Sequence, residues 1–118
     1  MKAIDFRKPT GKYGNRKQGG YDSGREKRRA TDLHYLQKAG EISSLQEQVA
    51  FELVPSQYAV VNGKRKCVEQ SVKYVADFVY VDRQGNTVVE DTKGVKTKDY
   101  IIKRKLMLHV HGIMVVEK

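Results

Sequence analysis

The sequence predicts an α/β fold, a mixed central β-sheet flanked by helices, with a flexible basic arm in front of it. Three observations predict it. Residues 23–39 carry apolar side chains at helical spacing, and residues 98–110 do so again. Between them, residues 72–82 and 87–93 alternate with the period of strands around a glycine-containing turn. The chain has 118 residues, enough for one domain with a modest core.

Composition narrows the function classes. Lys and Arg number 23 against 14 Asp and Glu, a net charge of +9. Such a balance predicts an anionic partner, nucleic acid first among them. No apolar run approaches the roughly 20 residues of a membrane helix. The N-terminus MKAIDFRKPT lacks the apolar stretch of a signal peptide. Cys67 is the single cysteine, so no internal disulfide is available, and no Cys/His spacing suits zinc. A reducing cytoplasmic setting is the expectation.

Residues 1–29 hold +7 of the +9 charge. Within them, PTGKYGNRKQGG (9–20) is rich in glycine and polar residues and shows no periodicity. Residues 1–20 therefore read as a flexible arm, and 21–118 as the folded domain. Lys12, Arg16 and Lys17 on the arm would contact phosphates, each contact adding salt-dependent affinity. A solvated tail that aids solubility is the plainer reading.

The first helix begins at a capping box, with Ser23 or Asp22 as N-cap and Glu26 three residues on. Ala30, Leu33 and Leu36 make its apolar stripe, and Gly40 closes it. Glu26 lies one turn before Ala30 and extends that stripe, so it is either the capping partner or an acid aimed at the sheet. Arg25, Arg28 and Arg29 join the cations expected on nucleic acid. Residues 41–54 read as a turn and a strand in which Val49, Phe51 and Leu53 alternate with polar or small neighbours. Gln48 faces the site or is merely a polar strand residue. Asn62-Gly63 is a two-residue turn signal, so 56–70 reads as a small hairpin with Lys64-Arg65-Lys66 near its tip. Cys67 reads as a small packing residue.

The segment VADFVYVDRQGNTVVEDTKG (75–94) carries the chemistry. A three-residue loop Arg83-Gln84-Gly85, with Gly85 left-handed, pairs Val81 with Thr87, Val79 with Val89 and Asp77 with Asp91. The two carboxylates become cross-strand neighbours with Cβ atoms roughly 5 Å apart. Alternation adds Lys93, Val75, Val79, Val81 and Val89 to that face, and puts Tyr74, Phe78, Tyr80, Val88 and Glu90 on the other. A two-residue turn at Gln84-Gly85 would instead bring Glu90 beside Asp77. Like charges this close repel unless a cation neutralises them. Carboxylates suit Mg²⁺ (or Mn²⁺), which takes a few acids plus waters and phosphate oxygens. Such an ion polarises a scissile phosphate and lowers the pKa of a water, and Lys93 either places that water or stabilises the developing negative charge. The plainer reading is a charged strand end in which Lys93 pairs with an acid.

The helix at 98–110 follows a Thr97 or Asp99 cap and ends at Gly112. Lys98, Lys103, Arg104 and Lys105 crowd one region of it as a DNA-facing side or as a solvated face, and Lys96 just before it joins Lys98, Lys103 and Arg104 as an expected DNA contact. His109 and His111 read as surface or capping residues. Ile113–Val116 reads as a last strand.

This element order resembles the PD-(D/E)XK, restriction-endonuclease-like nuclease superfamily. The similarity covers residues 22–117 and rests on YDSGRE, AGEISSLQEQVAFEL, VADFVYVD and VVEDTKG. It also resembles short phage-encoded members, some branches of which are Holliday junction resolvases. The resemblance implies Glu26, Asp77 and Asp91 as the acids around Mg²⁺, with Lys93 as catalytic lysine. It implies a DNA endonuclease acting on branched DNA as a homodimer, in the host cytoplasm if phage-encoded. Ala76 stands where the superfamily's proline would precede Asp77. The rival readings are a non-catalytic basic nucleic-acid-binding protein and an RNA-cleaving enzyme with the same site.

Overall fold

A computed structural model describes residues 24–118. The expected arm at 1–20 and the Ser23 or Asp22 cap lie outside the described residues, as do Lys12, Arg16 and Lys17. The fold is α/β, with two helices and a mixed four-stranded sheet. In chain order the elements are α1 (Gly24–Lys38), β1 (Ser43–Val54), β2 (Gln57–Val61), β3 (Lys64–Glu69), β4 (Val72–Val81), β5 (Thr87–Asp91), α2 (Lys98–His111) and β6 (Val116–Glu117). The sheet runs β1-β4-β5-β6, and β2 with β3 forms a separate two-stranded ribbon. β1, β4 and β5 are antiparallel neighbours, whereas β6 lies parallel to β5. A parallel return needs a crossover, and α2 supplies it.

Each helix stops where its sequence says it should. At the end of α1, Gly40 is left-handed (φ 80°) and the Glu41 N–H reaches back to the Leu36 carbonyl. Thr97 caps α2 by accepting the Tyr100 N–H at 3.1 Å, and Gly112 ends it with φ 67°. The strand after it is shorter than expected: only Val116–Glu117 pair with β5, and the residues from Ile113 serve as connection.

The two helices cover opposite faces of β5. Val88 packs with Phe78, Tyr80, Ala30 and Leu33 under α1, while Val89 packs with Tyr100 and Met107 of α2. Neighbouring strand residues point to opposite faces, so a sheet this covered must be apolar on both sides. Phe78, Leu33 and Met107 are fully buried. Truncating any one to alanine would cost about 2–5 kcal/mol.

One expectation about β4 is corrected. Strict alternation groups Tyr74 with Phe78 and Tyr80, yet Tyr74 and Ala76 join the α2 cluster with Val89. The change falls at Asp77. Opposite it, between the Glu47–Phe78 and Val49–Ala76 pairs, sits Gln48 with φ 56°. A left-handed residue inside a strand interrupts the extended backbone and re-aims neighbouring side chains.

Candidate active site

The hairpin register fixes which acids meet. Val81 pairs with Thr87, Val79 with Val89 and Phe78 with Glu90, the last pair of the ladder, and the same register continued one step sets Asp77 beside Asp91. The loop is the three-residue form: the Asp82 N–H donates to the Asn86 carbonyl and Gly85 is left-handed at φ 85°. Asp82 Oδ1 also accepts from the Gln84 and Asn86 N–H groups, both at 2.9 Å, which pins the turn.

Glu90 is thereby turned away from Asp77. Its carboxylate is fully buried and takes two parallel bonds from Arg29, Nε at 2.8 Å and Nη2 at 2.7 Å. Tyr80 donates a third. Arg29, expected among the DNA contacts, is committed to this clamp, and the bonds to Glu90 push its pKa up further. Burial and Glu90 raise the Tyr80 hydroxyl to about 12, so it stays a donor.

Asp91 is just as buried but is not satisfied. Its Oδ2 accepts from the Tyr74 hydroxyl at 2.6 Å. Its Oδ1 is buried without a hydrogen-bond partner among the described residues. Lys93, just past the end of β5 rather than on it, brings Nζ to 3.8 Å from that oxygen, too far for a hydrogen bond. Burial first, then neighbouring Asp77, push the Asp91 pKa far above the usual carboxylate range. Burial and Asp91 likewise raise the Tyr74 hydroxyl, which therefore remains protonated and donating.

Asp77 ends β5 by side-chain bonding. Its Oδ2 accepts the Thr92 N–H and the Thr92 hydroxyl, both at 2.9 Å. Its Oδ1 lies 3.4 Å from Gln48 Nε2, which donates more tightly to Glu26 Oε2 at 2.7 Å. Gln48 thus bridges the acid of α1 to the acid of β4. Its left-handed backbone is the sort of outlier that recurs at functional sites. Glu26 is only 5% exposed.

Asp77, Asp91 and Lys93 therefore come together from β4, β5 and the segment after it, whereas Glu26 of α1, expected as a third metal acid, is joined to Asp77 through Gln48. Among the described residues no three His, Cys, Asp or Glu side chains form a ready-made metal cage. A close pair does exist, Asp77 with Asp91, and it carries an orphaned buried oxygen. That donor set fits Mg²⁺, which is commonly held by one or two carboxylates and completes its shell with water and phosphate.

The remaining expected cations divide. Arg25, Arg28 and Lys98 are exposed. Lys96 and Arg104 instead grip Glu117, at 3.1 and 3.0 Å, and Tyr100 donates to the same carboxylate at 2.6 Å. These bonds, that of Tyr100 foremost, hold the Glu117 pKa down at about 2 and tie β6 to α2. Lys103 is half-buried, and that burial lowers its pKa. Lys93 stands over the Tyr100 ring, 5.0 Å from its centre. His111 donates to the Glu52 carbonyl at 2.6 Å and its ring lies tilted against Phe51, so it ties the end of α2 to β1 rather than capping the helix.

Sequence reasoning missed Tyr74, Thr92 and Tyr100, and left Gln48 open. Thr92 carried a usable signal, since it follows the second acid directly at the strand end. Tyr74 carried none, because its hydroxyl reaches Asp91 only through the broken alternation of β4.

A family model described as "Protein of unknown function (DUF1064)" matches residues 11–113, nearly the whole chain, and the chain belongs to that family. No curated protein and no solved structure matches it.

Proposed function

We propose that this member of the DUF1064 family is a Mg²⁺- or Mn²⁺-dependent DNA endonuclease of the PD-(D/E)XK kind, acting on branched DNA. The observation that carries the reading is the Asp77–Asp91 pair. Two carboxylates meet from antiparallel strands, and one buried oxygen of Asp91 has no hydrogen-bond partner. A purely structural acid would be matched as Glu90 is matched. A chain of net charge +9 that still keeps these acids together is built to bring an anion to a cation.

In this reading Asp77 and Asp91 hold the metal, and Thr92 and Tyr74 fix their orientation. The metal, when bound, would polarise the scissile phosphate and lower the pKa of an attacking water. Lys93 supplies positive charge where negative charge develops on the phosphate. Gln48 holds Glu26 toward the pair, so α1 sets the position of the third acid. Arg25 and Arg28 on the exposed side of α1 contact phosphates. A homodimer suits paired nicks in a branched substrate, and exposed Ile102, Leu108 and Val110 offer it an apolar surface.

The test is cleavage of a four-way junction and a linear duplex side by side, with Mg²⁺, with Mn²⁺ and with EDTA. The proposal expects metal-dependent cutting with preference for the junction, and none by Asp77→Asn. Retained binding without cutting of junction, flap, single strand or duplex would establish the non-catalytic binder instead. Cutting of RNA of the same shape in preference to DNA would make it a ribonuclease.

A further inference from the structure

The β2–β3 ribbon stands apart from the four-stranded sheet and is exposed along almost its whole length. Asn62 (φ 50°) and Gly63 (φ 75°) form its two-residue turn, and both backbones are left-handed as the tight hairpin turn requires. Tyr58 pairs with Cys67, Val60 with Arg65, Ala59 with Lys66 and Val61 with Lys64. Cross-strand partners share a face. One face therefore carries Tyr58, Val60 and Arg65, and the other carries Lys64 and Lys66 two residues apart.

Both faces are dressed in a way that hairpins left to water avoid. Tyr58 is 44% exposed and Val60 is 74% exposed, and the Arg65 guanidinium lies 4.0 Å from the centre of the Tyr58 ring. A bare two-stranded ribbon is marginal alone, and natural edges are not decorated with open aromatic and valine side chains without a use. The cations decide the partner. Lys64, Arg65 and Lys66 outnumber the one acid, Glu69, so a second copy of the same ribbon would bring like charges together. An aromatic ring and an apolar neighbour with one cation beside them and two more across the ribbon match a nucleic acid whose bases are open to stacking. In a paired duplex those base faces are hidden.

We propose that the β2–β3 hairpin is a second nucleic-acid contact that receives unpaired bases. Tyr58 stacks against a base with Val60 packed beside it, Arg65 on the same face meets the adjoining phosphate, and Lys64 and Lys66 hold the phosphates of the strand where it passes round to the opposite face. The proposal rests on the nuclease reading for its partner and deepens it. It makes the site one served by strands that are open near the cut, as at a branch point.

Binding separates the two claims, because it is measured in EDTA where nothing is cut. The full chain and its variants are titrated by fluorescence anisotropy into a single strand, a four-way junction with unpaired bases at its centre and a fully paired duplex. Tyr58→Ala should weaken the single strand and the junction about tenfold, the effect of losing one stacked base, and leave the duplex nearly unchanged. Tyr58→Phe, which keeps the ring, should bind as wild type does. The double variant Lys64→Ala, Lys66→Ala should flatten the salt dependence on single strands by roughly 1.4 in log–log slope, two phosphate contacts' worth. Equal losses on duplex and unpaired DNA from Tyr58→Ala would overturn the proposal. So would unchanged binding, or a fall from dimer to monomer, which would make the ribbon a protein interface. Wild-type protein that binds by this pattern yet never cuts would sink the nuclease reading and leave the hairpin contact standing. Cutting with unaltered binding in all hairpin variants would do the reverse.

Discussion

Glu90 and Asp91 are adjacent in the chain, both fully buried, and opposite in circumstance. Glu90 faces α1 and is matched by both arms of Arg29 and by Tyr80. Asp91 faces Asp77, keeps one bond from Tyr74 and leaves an oxygen orphaned. A buried charge is tolerated when fully paired and is expensive when not. The difference teaches how to tell a structural acid from a functional one. The first is finished by the protein itself, and the second is left for something the protein binds.

The comparison breaks most decisively on activity. Asp91→Asn should lower cleavage by roughly 1,000-fold, the several kcal/mol that a metal contributes to a phosphoryl transition state. Arg29→Ala should act on the other member of the pair. It strands Glu90 and should cost about 3–5 kcal/mol of folding stability, read by urea unfolding. Residual activity per folded molecule should change far less than in Asp91→Asn.

Tyr74→Phe is the next step down. It removes the one hydroxyl that orients Asp91, and loss of such a supporting partner costs about 10–100-fold in activity or metal affinity. The fold should survive, since the ring remains in its cluster with Tyr100 and Val89. A smaller effect concerns pH without metal. The Asp91 pKa is pushed up to about 8 in the folded protein, against an ordinary value of 3.8. A raised pKa means the folded state binds the proton more tightly than the unfolded one. The associated stability is complete below the ordinary value and is lost as pH rises toward 8. In EDTA, wild type should therefore lose stability relative to Asp91→Asn between about pH 4 and pH 8, as followed by thermal unfolding.

Much of this contrast was legible in the residues. Gly85 pointed to a three-residue loop and so to Asp91 beside Asp77, with a two-residue turn and Glu90 as the competing register that the folded hairpin then rules out. Asn62-Gly63 marked the second hairpin, Gly112 marked the end of α2, and Thr97 was one of the two caps, with Asp99, read at its start. These are local features, decided by backbone freedom and capping within a few residues. What was not legible depends on long-range packing. Nothing near Gln48 announces a left-handed backbone, and without it Tyr74 belongs on the wrong face. The commitment of Arg29 to Glu90 joins residues 61 positions apart, and a count of basic residues cannot show it. The anchoring of Glu117 in β6 by Tyr100, Arg104 and Lys96, all from outside the strand, is likewise a long-range feature.

The most direct measurement of the central claim is the thermal midpoint of wild type, Asp91→Asn and Glu90→Gln with Mg²⁺ or Mn²⁺ against EDTA. If the Asp77–Asp91 pair binds the ion, metal raises the midpoint of wild type and leaves Asp91→Asn unmoved. Glu90→Gln, although less stable throughout, should still respond to metal as wild type does. Equal metal responses in wild type and Asp91→Asn would contradict the account, because the orphaned oxygen would then not be where the ion binds.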